Sequence, residues 1–187
     1  NTTDWPLLRL FRERYLLSAQ GETLVLADLR AIQHQQWLTQ FSGLLNEGLT
    51  SQPLLIPQRL QTTQSADWLN EYAAWLQKLG LRLTSPKSQQ LIIQAVPAML
   101  RQTDLVSTVP ALLQLLDGYP TVISQADWQS LISSWLALPG LIPLHYSTAS
   151  AQSLWQWMQN HIANWQMNTH LVQNVDITNI LEVFSRD

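Results

Sequence analysis

The chain has 187 residues, of which 46% are hydrophobic and nine are tryptophan, so it is long and apolar enough to fold around a sizeable core. Cysteine is absent, which excludes disulfides, cysteine-ligated zinc, iron–sulfur clusters and thiol nucleophiles. Charged residues make up only 12%, and a surface with so little charge predicts that a partner covers part of it.

Charge is distributed unevenly along the chain. Nine of the ten Lys and Arg residues lie within residues 1–101, whereas residues 102–187 hold Arg186 against six acidic residues. Phosphate binding needs clustered cations, so we expect little or no direct DNA binding and interpret the arginines of the first half as a solvated face. Those nearest the N-terminus are Arg9, Arg12, Arg14 and Arg30. Without a run of about 18 apolar residues or a signal-peptide pattern, the expected location is the cytoplasm, with no membrane association.

The N-terminal segment is typical of a small β-β-β-α unit. Short apolar runs predict strands at Leu7–Phe11, Tyr15–Leu17 and Glu22–Asp28. A stripe at helical spacing follows over Leu29–Leu45 and ends in a glycine-containing stretch. Glu47–Gln52 is then a plausible crossing between two lobes.

The middle of the chain is predicted to be β-α-β-β. Pro53–Leu60 reads as an extended segment that its two prolines confine to an exposed or edge position. Trp68–Leu79 carries a helical stripe that Gly80 stops. Leu81–Leu83 and Leu91–Val96 are predicted strands.

Four further helices complete the prediction, two before and two after a break at Leu138–Pro143 that leads back to the first lobe. They span Val109–Leu116, Ser124–Leu138, Ser150–Trp165 and Ile177–Phe184, with a strand at Leu171–Val175 before the last one. Ser124 and Asp127 have the spacing of a capping box. The helix over Ser150–Trp165 has an unusually broad aromatic face, which suits either an ordinary core helix or one that contacts its own sheet and a second protein together.

Three stretches of the chain carry a family resemblance. Gln52–Leu60 is similar to the QPLLIPxRL stretch of MutL-type mismatch-repair proteins that work with a separate hemimethyl-directed nicking enzyme. Gln94–Gln102 resembles the RAVPxxLRQ stretch of that family, with Gln94 in place of the arginine, and Leu171–Asp176 resembles its LLQSVD. Together they resemble the C-terminal dimerisation domain of this family.

The resemblance implies an α+β fold of two lobes, with antiparallel or mixed sheets and packed helices. A dimerisation lobe would combine residues 1–46 and 142–187, and a regulatory lobe, residues 47–141, would be inserted between them. The expected function is to tether two ATPase subunits as a homodimer, the ATPase being outside this chain. The implied partners are a sliding clamp, a MutH-like nicking endonuclease, a repair helicase and MutS, with no cofactor, metal or catalytic residue in this domain.

The sequence gives two sets of expected site residues, one for clamp binding and one for dimerisation. The resemblance identifies Gln52, Leu54, Leu55 and Pro57 as a clamp-binding motif, in which the glutamine would bond to clamp backbone and the leucines would fill an apolar cleft. The alternative is an edge strand whose leucines simply pack inward, and both interpretations stay open. The expected dimer interface draws on apolar residues of the two terminal segments: Leu8, Leu10, Leu24, Leu26, Leu171 and Val175.

Two alternative functions are a metal-dependent nicking endonuclease and a ligand-binding adaptor. Many relatives carry a metal-dependent nicking endonuclease with a DQHAxxER motif, but here Arg30 and His34 replace its His and Glu, leaving Asp28 and Ala31. Arginine has no lone pair to offer a metal, and no cysteine is present for the later motif, so we predict no catalysis. A ligand-binding adaptor with a tryptophan-lined pocket is the other alternative, although the tryptophans follow helical stripes that core packing explains.

Overall fold

The computed structural model describes residues 4–184 of the chain. In chain order its strands and helices are β1 (Leu7–Phe11), β2 (Tyr15–Gln20), β3 (Thr23–Asp28), α1 (Leu29–Ser42), β4 (Ser51–Gln61), α2 (Ala66–Glu71), α3 (Ala73–Lys78), β5 (Arg82–Lys87), β6 (Gln90–Pro97), α4 (Leu105–Leu116), α5 (Gln125–Leu136), α6 (Thr148–His161), β7 (Val172–Asn174) and α7 (Thr178–Phe184). All strand pairs between described residues are antiparallel, and the predicted α+β class is confirmed.

The described residues form two compact units. The residues up to Gln36 and those from Ile142 onward make the first unit, and Trp37–Leu141 make the second. The boundary after Gln36 falls inside α1, ten residues before the crossing expected from the sequence. None of the helices within residues 4–184 combines the length and apolar character needed to cross a bilayer.

The first unit is built on a four-stranded sheet in the order β1-β2-β3-β7. Side chains alternate between the two faces of a strand, and directly opposed residues share a face. Leu16 and Ala27 are opposed and fully buried, so they mark the inner face of this sheet. Trp155 and Met158 of α6 belong to the same buried cluster, which makes the sheet and this helix one core.

The second unit has a three-stranded sheet in the order β4-β6-β5 together with α2 to α5. Its core includes Leu91 and Ile93 of β6 and the stacked rings of Trp75 and Trp128, whose centroids are 6.2 Å apart. The serine half of the capping box predicted before α5 is confirmed, because Ser124 Oγ accepts a hydrogen bond from the Asp127 N–H at 3.1 Å. The Asp127 carboxylate accepts a hydrogen bond from the Ser124 hydroxyl at 2.5 Å. The predicted edge position of β4 is also confirmed.

Two predicted helices end or break differently in the structure. The stripe Trp68–Leu79 forms α2 and α3 rather than one helix, with a break at Tyr72. The helix predicted over Ser150–Trp165 ends at His161, because Ile162 is extended and Asn164 is left-handed with φ 52°. Trp165 then lies buried in a 3₁₀ turn.

Candidate functional site

The four-stranded sheet of the first unit has an apolar outer face. Leu17 is directly opposed to Leu26, and Ala19 is opposed to Leu24 two residues further along, so these four side chains share the face opposite to Leu16. All four are partly exposed. We call Leu17, Ala19, Leu24 and Leu26 the outer face.

Polar residues border the outer face on both sides. Arg9 of β1 is opposed to Leu17, and Gln173 of β7 is opposed to Leu26; both are exposed. An apolar centre with a polar rim is the usual composition of a protein–protein interface. Leu8 is also exposed, at 52%, where a register shift interrupts the pairing of β1 with β2.

The six residues expected at the dimer interface are partly on the surface and partly in the core. Leu24 and Leu26 lie on the outer face, while Val175 is partly exposed and donates its backbone N–H to Leu24 O at 2.8 Å. Leu171 is only 5% exposed and belongs to the core of the first unit, and Leu10 packs against the same core. Leu17 is an addition to the expected set. It lay in a predicted strand, but only the register with β3 shows that it faces outward.

The expected clamp-binding motif lies where β4 leaves regular pairing. Pro53 is opposed to Ala95 and Gln58 to Ile93, so four residues of β4 stand opposite the single residue Gln94 of β6. Extra residues on one strand are pushed out of the ladder and bend the strand. We call these four residues, Leu54–Pro57, the β4 bulge.

The β4 bulge divides its apolar side chains between the core and the surface. Leu54 is half-buried and packs against the core of the second unit, whereas Leu55 is 94% and Ile56 79% exposed. Pro57 is exposed as well. Of the two interpretations of the motif, inward packing describes Leu54 only. Ile56 was not among the expected site residues, and its exposure could not be foreseen from an apolar run alone.

Gln52, the first residue of the expected motif, is held from outside β4. Its side-chain Oε1 accepts a hydrogen bond from Arg101 Nη1 at 3.2 Å. The Gln52–Leu60 and Gln94–Gln102 stretches therefore meet in space, both through this bond and through the β4–β6 ladder, in which Gln52 is opposed to Val96. Arg101 was not expected to belong to a site.

Asp28, the remaining acidic residue of the endonuclease-like stretch, is bound by an arginine. Arg14 Nε donates to its Oδ1 at 3.0 Å and Arg14 Nη2 to its Oδ2 at 2.6 Å, while the Arg30 N–H donates to Oδ1 at 3.0 Å. Burial raises the pKa of Asp28, but these hydrogen bonds and the Arg14 charge outweigh it and lower the pKa below its usual value. Within residues 4–184, no group of three or more His, Asp or Glu residues is arranged to hold a metal ion.

The tryptophans that suggested a ligand pocket pack mainly on one another and in the cores. Trp165 makes edge contacts with Trp5 and Trp155, at centroid distances of 5.3 and 5.0 Å. Four cavities of the second unit, whose volumes are about 150 to 630 Å³, have no tryptophan in their walls. These observations favour core packing over a tryptophan-lined pocket.

Comparison with known proteins identifies similar sequences. Residues 8–140 match a family described as the MutL C terminal dimerisation domain. The chain is 61% identical, over its whole length, to the DNA mismatch repair protein MutL of Tolumonas auensis, of which it covers 32%. It is also 30% identical over 98% of its length to the MutL of Aeromonas salmonicida, covering 29% of it, and 37% identical over 68% of its length to that of Shewanella sediminis, covering 22%. The chain thus spans about a third of the length of these relatives.

Proposed function

Because this chain belongs to the family of MutL C-terminal dimerisation domains, we propose that it holds two copies of a longer mismatch-repair protein together through the outer face. The support is the apolar surface made by Leu17, Leu24 and Leu26 within a polar rim. Burying such a face removes apolar surface from water, which stabilises the dimer by about 25 cal/mol for each Å² buried. A standard interface buries about 800 Å² on each partner, so the polar rim would be covered together with the outer face.

In this proposal the first unit is the dimerising lobe and the second is a regulatory lobe that docks partners. A permanent junction at one end of a longer protein raises the effective concentration of its other domains for each other. The ATPase subunits expected beyond this chain would gain from that tether. The nicking endonuclease, the repair helicase and MutS would be coordinated by the assembled dimer.

The dimer proposal is tested by sedimentation of the chain over a concentration range of about a hundredfold. We expect the mass of a dimer throughout, and loss of that mass in Leu24→Asp and Val175→Asp, each of which would place a charge in the interface. Val122→Asp is the matched control, because Val122 is 81% exposed in the second unit and its change should leave the dimer intact. A stable monomer at every concentration would reject the proposal. Leu171→Asp is unsuitable, since it would disrupt the core.

We further propose that the β4 bulge docks the chain on a sliding clamp. Leu55 and Ile56 project from an edge strand beside Gln52, so a partner cleft can receive both without unfolding the sheet. Extended peptides are commonly recognised in this way, with backbone hydrogen bonds and pockets for particular side chains.

The docking proposal is tested by titrating a purified bacterial sliding clamp with the chain and with Gln52→Ala/Leu55→Ala. We expect the double variant to lose clamp binding and to keep the mass of the dimer. Val122→Ala serves as control for the loss of an exposed aliphatic side chain. Equal affinity of the double variant and the unchanged chain would reject the docking site.

We also propose that the chain does not cleave DNA. The Arg14 guanidinium occupies both carboxylate oxygens of Asp28, at 3.0 and 2.6 Å, and a fixed cation there opposes the binding of a divalent metal. The test is a nicking assay on supercoiled DNA with Mn²⁺. Robust nicking that is lost in Asp28→Asn would overturn this proposal.

A further inference from the structure

Arg101 contacts the side-chain amide of Gln52. A guanidinium has only donors, so the oxygen of the Gln52 amide must face Arg101, and the N–H₂ group must face away from it. Among the described residues, the Gln52 N–H₂ group donates a hydrogen bond to none. The two N–H donors of the amide are therefore available to a partner.

The backbone next to Arg101 and next to Gln52 is held by hydrogen bonds. Arg101 follows the 3₁₀ turn Ala98–Leu100, in which Leu100 is fully buried and its carbonyl accepts hydrogen bonds from Thr103 N–H at 2.9 Å and Thr103 Oγ1 at 2.8 Å. On the other side, Thr50 O accepts the Ala98 N–H at 3.3 Å, next to the ladder position of Gln52. The side chains thus bridge two anchored segments.

We infer that Arg101 is a positioning residue for partner docking: it holds the Gln52 amide with its N–H₂ group toward a backbone carbonyl of the clamp. The inference rests on the docking proposed above. It also accounts for the Gln94–Gln102 stretch, which the proposed functions otherwise leave without a role. Ordering a glutamine before binding removes part of the entropy cost of the contact, which is how preorganisation raises affinity.

The experiment is a double-mutant cycle on Gln52 and Arg101, measured as the Kd for a purified bacterial sliding clamp at fixed salt. We expect Arg101→Ala to weaken binding about 3- to 10-fold, the range set by one net hydrogen bond. In the Gln52→Ala background, Arg101→Ala should change nothing further. Arg101→Lys, which keeps a donor and the charge, should recover part of the affinity.

Two controls separate positioning from charge and from folding. Arg82→Ala removes the same charge from an exposed strand position of the second unit and should leave the Kd unchanged. A synthetic peptide of residues 50–60 lacks Arg101, so it should bind the clamp more weakly than the chain does. The thermal unfolding midpoint of each variant shows that it is folded.

The outcomes that contradict the inference are distinct. An equal loss from Arg101→Ala with and without Gln52 would mean that Arg101 contacts the clamp directly, and no loss at all would mean that the hydrogen bond does not position the amide. Either result overturns the inference and leaves clamp docking in place. Absence of binding by the unchanged chain would overturn the docking proposal and the inference with it.

Discussion

The outer surfaces of the two sheets differ in chemistry. In the first unit, Leu17 and Leu26 face outward side by side. In the second unit, the face opposite to the buried Leu91 and Ile93 carries Ile92 between Arg59 and Thr84. A contiguous apolar patch on a folded protein often marks a contact with another protein, whereas a face that alternates apolar side chains with charge and hydroxyl groups is usual for a solvated surface. This contrast agrees with the dimer contact proposed for the first sheet, whereas the most exposed large hydrophobic side chains of the second sheet, Leu55 and Ile56, lie in the β4 bulge.

A carboxylate placed on each sheet in turn should give opposite results for dimerisation. Leu26→Asp would bury an uncompensated carboxylate, at a cost of about 3–5 kcal/mol for each copy, so the dimer dissociation constant should rise by more than about a thousandfold. Ile92→Asp, on the partly exposed row of the other sheet, should leave the dimer mass unchanged. Sedimentation equilibrium measures both.

Either of two results would contradict an interface on the first sheet. A Leu26→Asp variant that remains a dimer would remove the outer face from the interface. Dissociation by Ile92→Asp would move the interface to the second unit. Circular dichroism shows whether each variant is folded.

Acid should lower the stability of the first unit, because an ion pair between Arg14 and Asp28 stabilises its sheet. The side chains of Arg14 and Asp28 are 33% and 27% exposed and share two hydrogen bonds. In the second unit, Trp37–Leu141, every residue is described and no ion pair forms. The folded pKa of Asp28 is lowered, so its contribution to stability is present above the unfolded value of about 3.9 and is lost as the pH falls through the folded pKa.

Asp28→Asn should therefore lower the free energy of unfolding by about 1–2 kcal/mol at pH 7, after allowance for solvent screening. The difference between the two should shrink below about pH 4, because the unchanged chain loses its charge pair there and the variant has none to lose. Urea unfolding at pH 7 and pH 3 measures it. Glu13→Gln is the matched control, since its contact with His145 is about 70% exposed and should contribute little. A difference as large at pH 3 as at pH 7 would refute the assignment to ionised Asp28.

The strands and most helices were predictable because hydrophobic periodicity is local. Pro53 and Pro57 also identified β4 as an edge strand, since proline cannot donate to a central ladder. The β4 bulge was not predictable, because it depends on where β6 pairs, and neither strand encodes the register alone.

The assignment of leucines to faces shows the same limit. Leu17 and Leu171 both lie in predicted apolar runs, yet one faces outward and the other is buried in the core. The early end of α6 was missed for a related reason. Residues 162–165 continue the apolar stripe, but Asn164 takes the left-handed conformation that short polar side chains tolerate, and Trp165 packs on Trp5 instead.

Alanine substitutions at two neighbouring residues of the β4 bulge should affect stability differently. Leu54→Ala removes a half-buried side chain that packs on the core and should lower the free energy of unfolding by about 1–2 kcal/mol. Leu55→Ala alters an exposed one and should stay within about 0.5 kcal/mol. Clamp affinity should fall with Leu55→Ala all the same, because hot-spot residues at an interface need not contribute to folding. Urea unfolding and clamp titration of both variants separate stability from docking, and a strong loss of stability in Leu55→Ala would contradict the exposed position.

Each unit has one buried side-chain donor with no hydrogen-bond partner among the described residues. These donors are Tyr146 Oη in the first unit and Trp135 Nε1 in the second. We expect removal of the Tyr146 hydroxyl to change stability least. Burial and the nearby Asp28 charge raise the pKa of Tyr146, so its hydroxyl stays protonated and should add no pH dependence near neutrality. A buried polar atom without a hydrogen bond is unfavourable, so Tyr146→Phe should be neutral or should stabilise the chain by up to about 1 kcal/mol in urea unfolding. Trp135→Phe, by contrast, also leaves a cavity in a fully buried site and should destabilise it. A clear loss of stability in Tyr146→Phe would mean that the hydroxyl is hydrogen-bonded in solution.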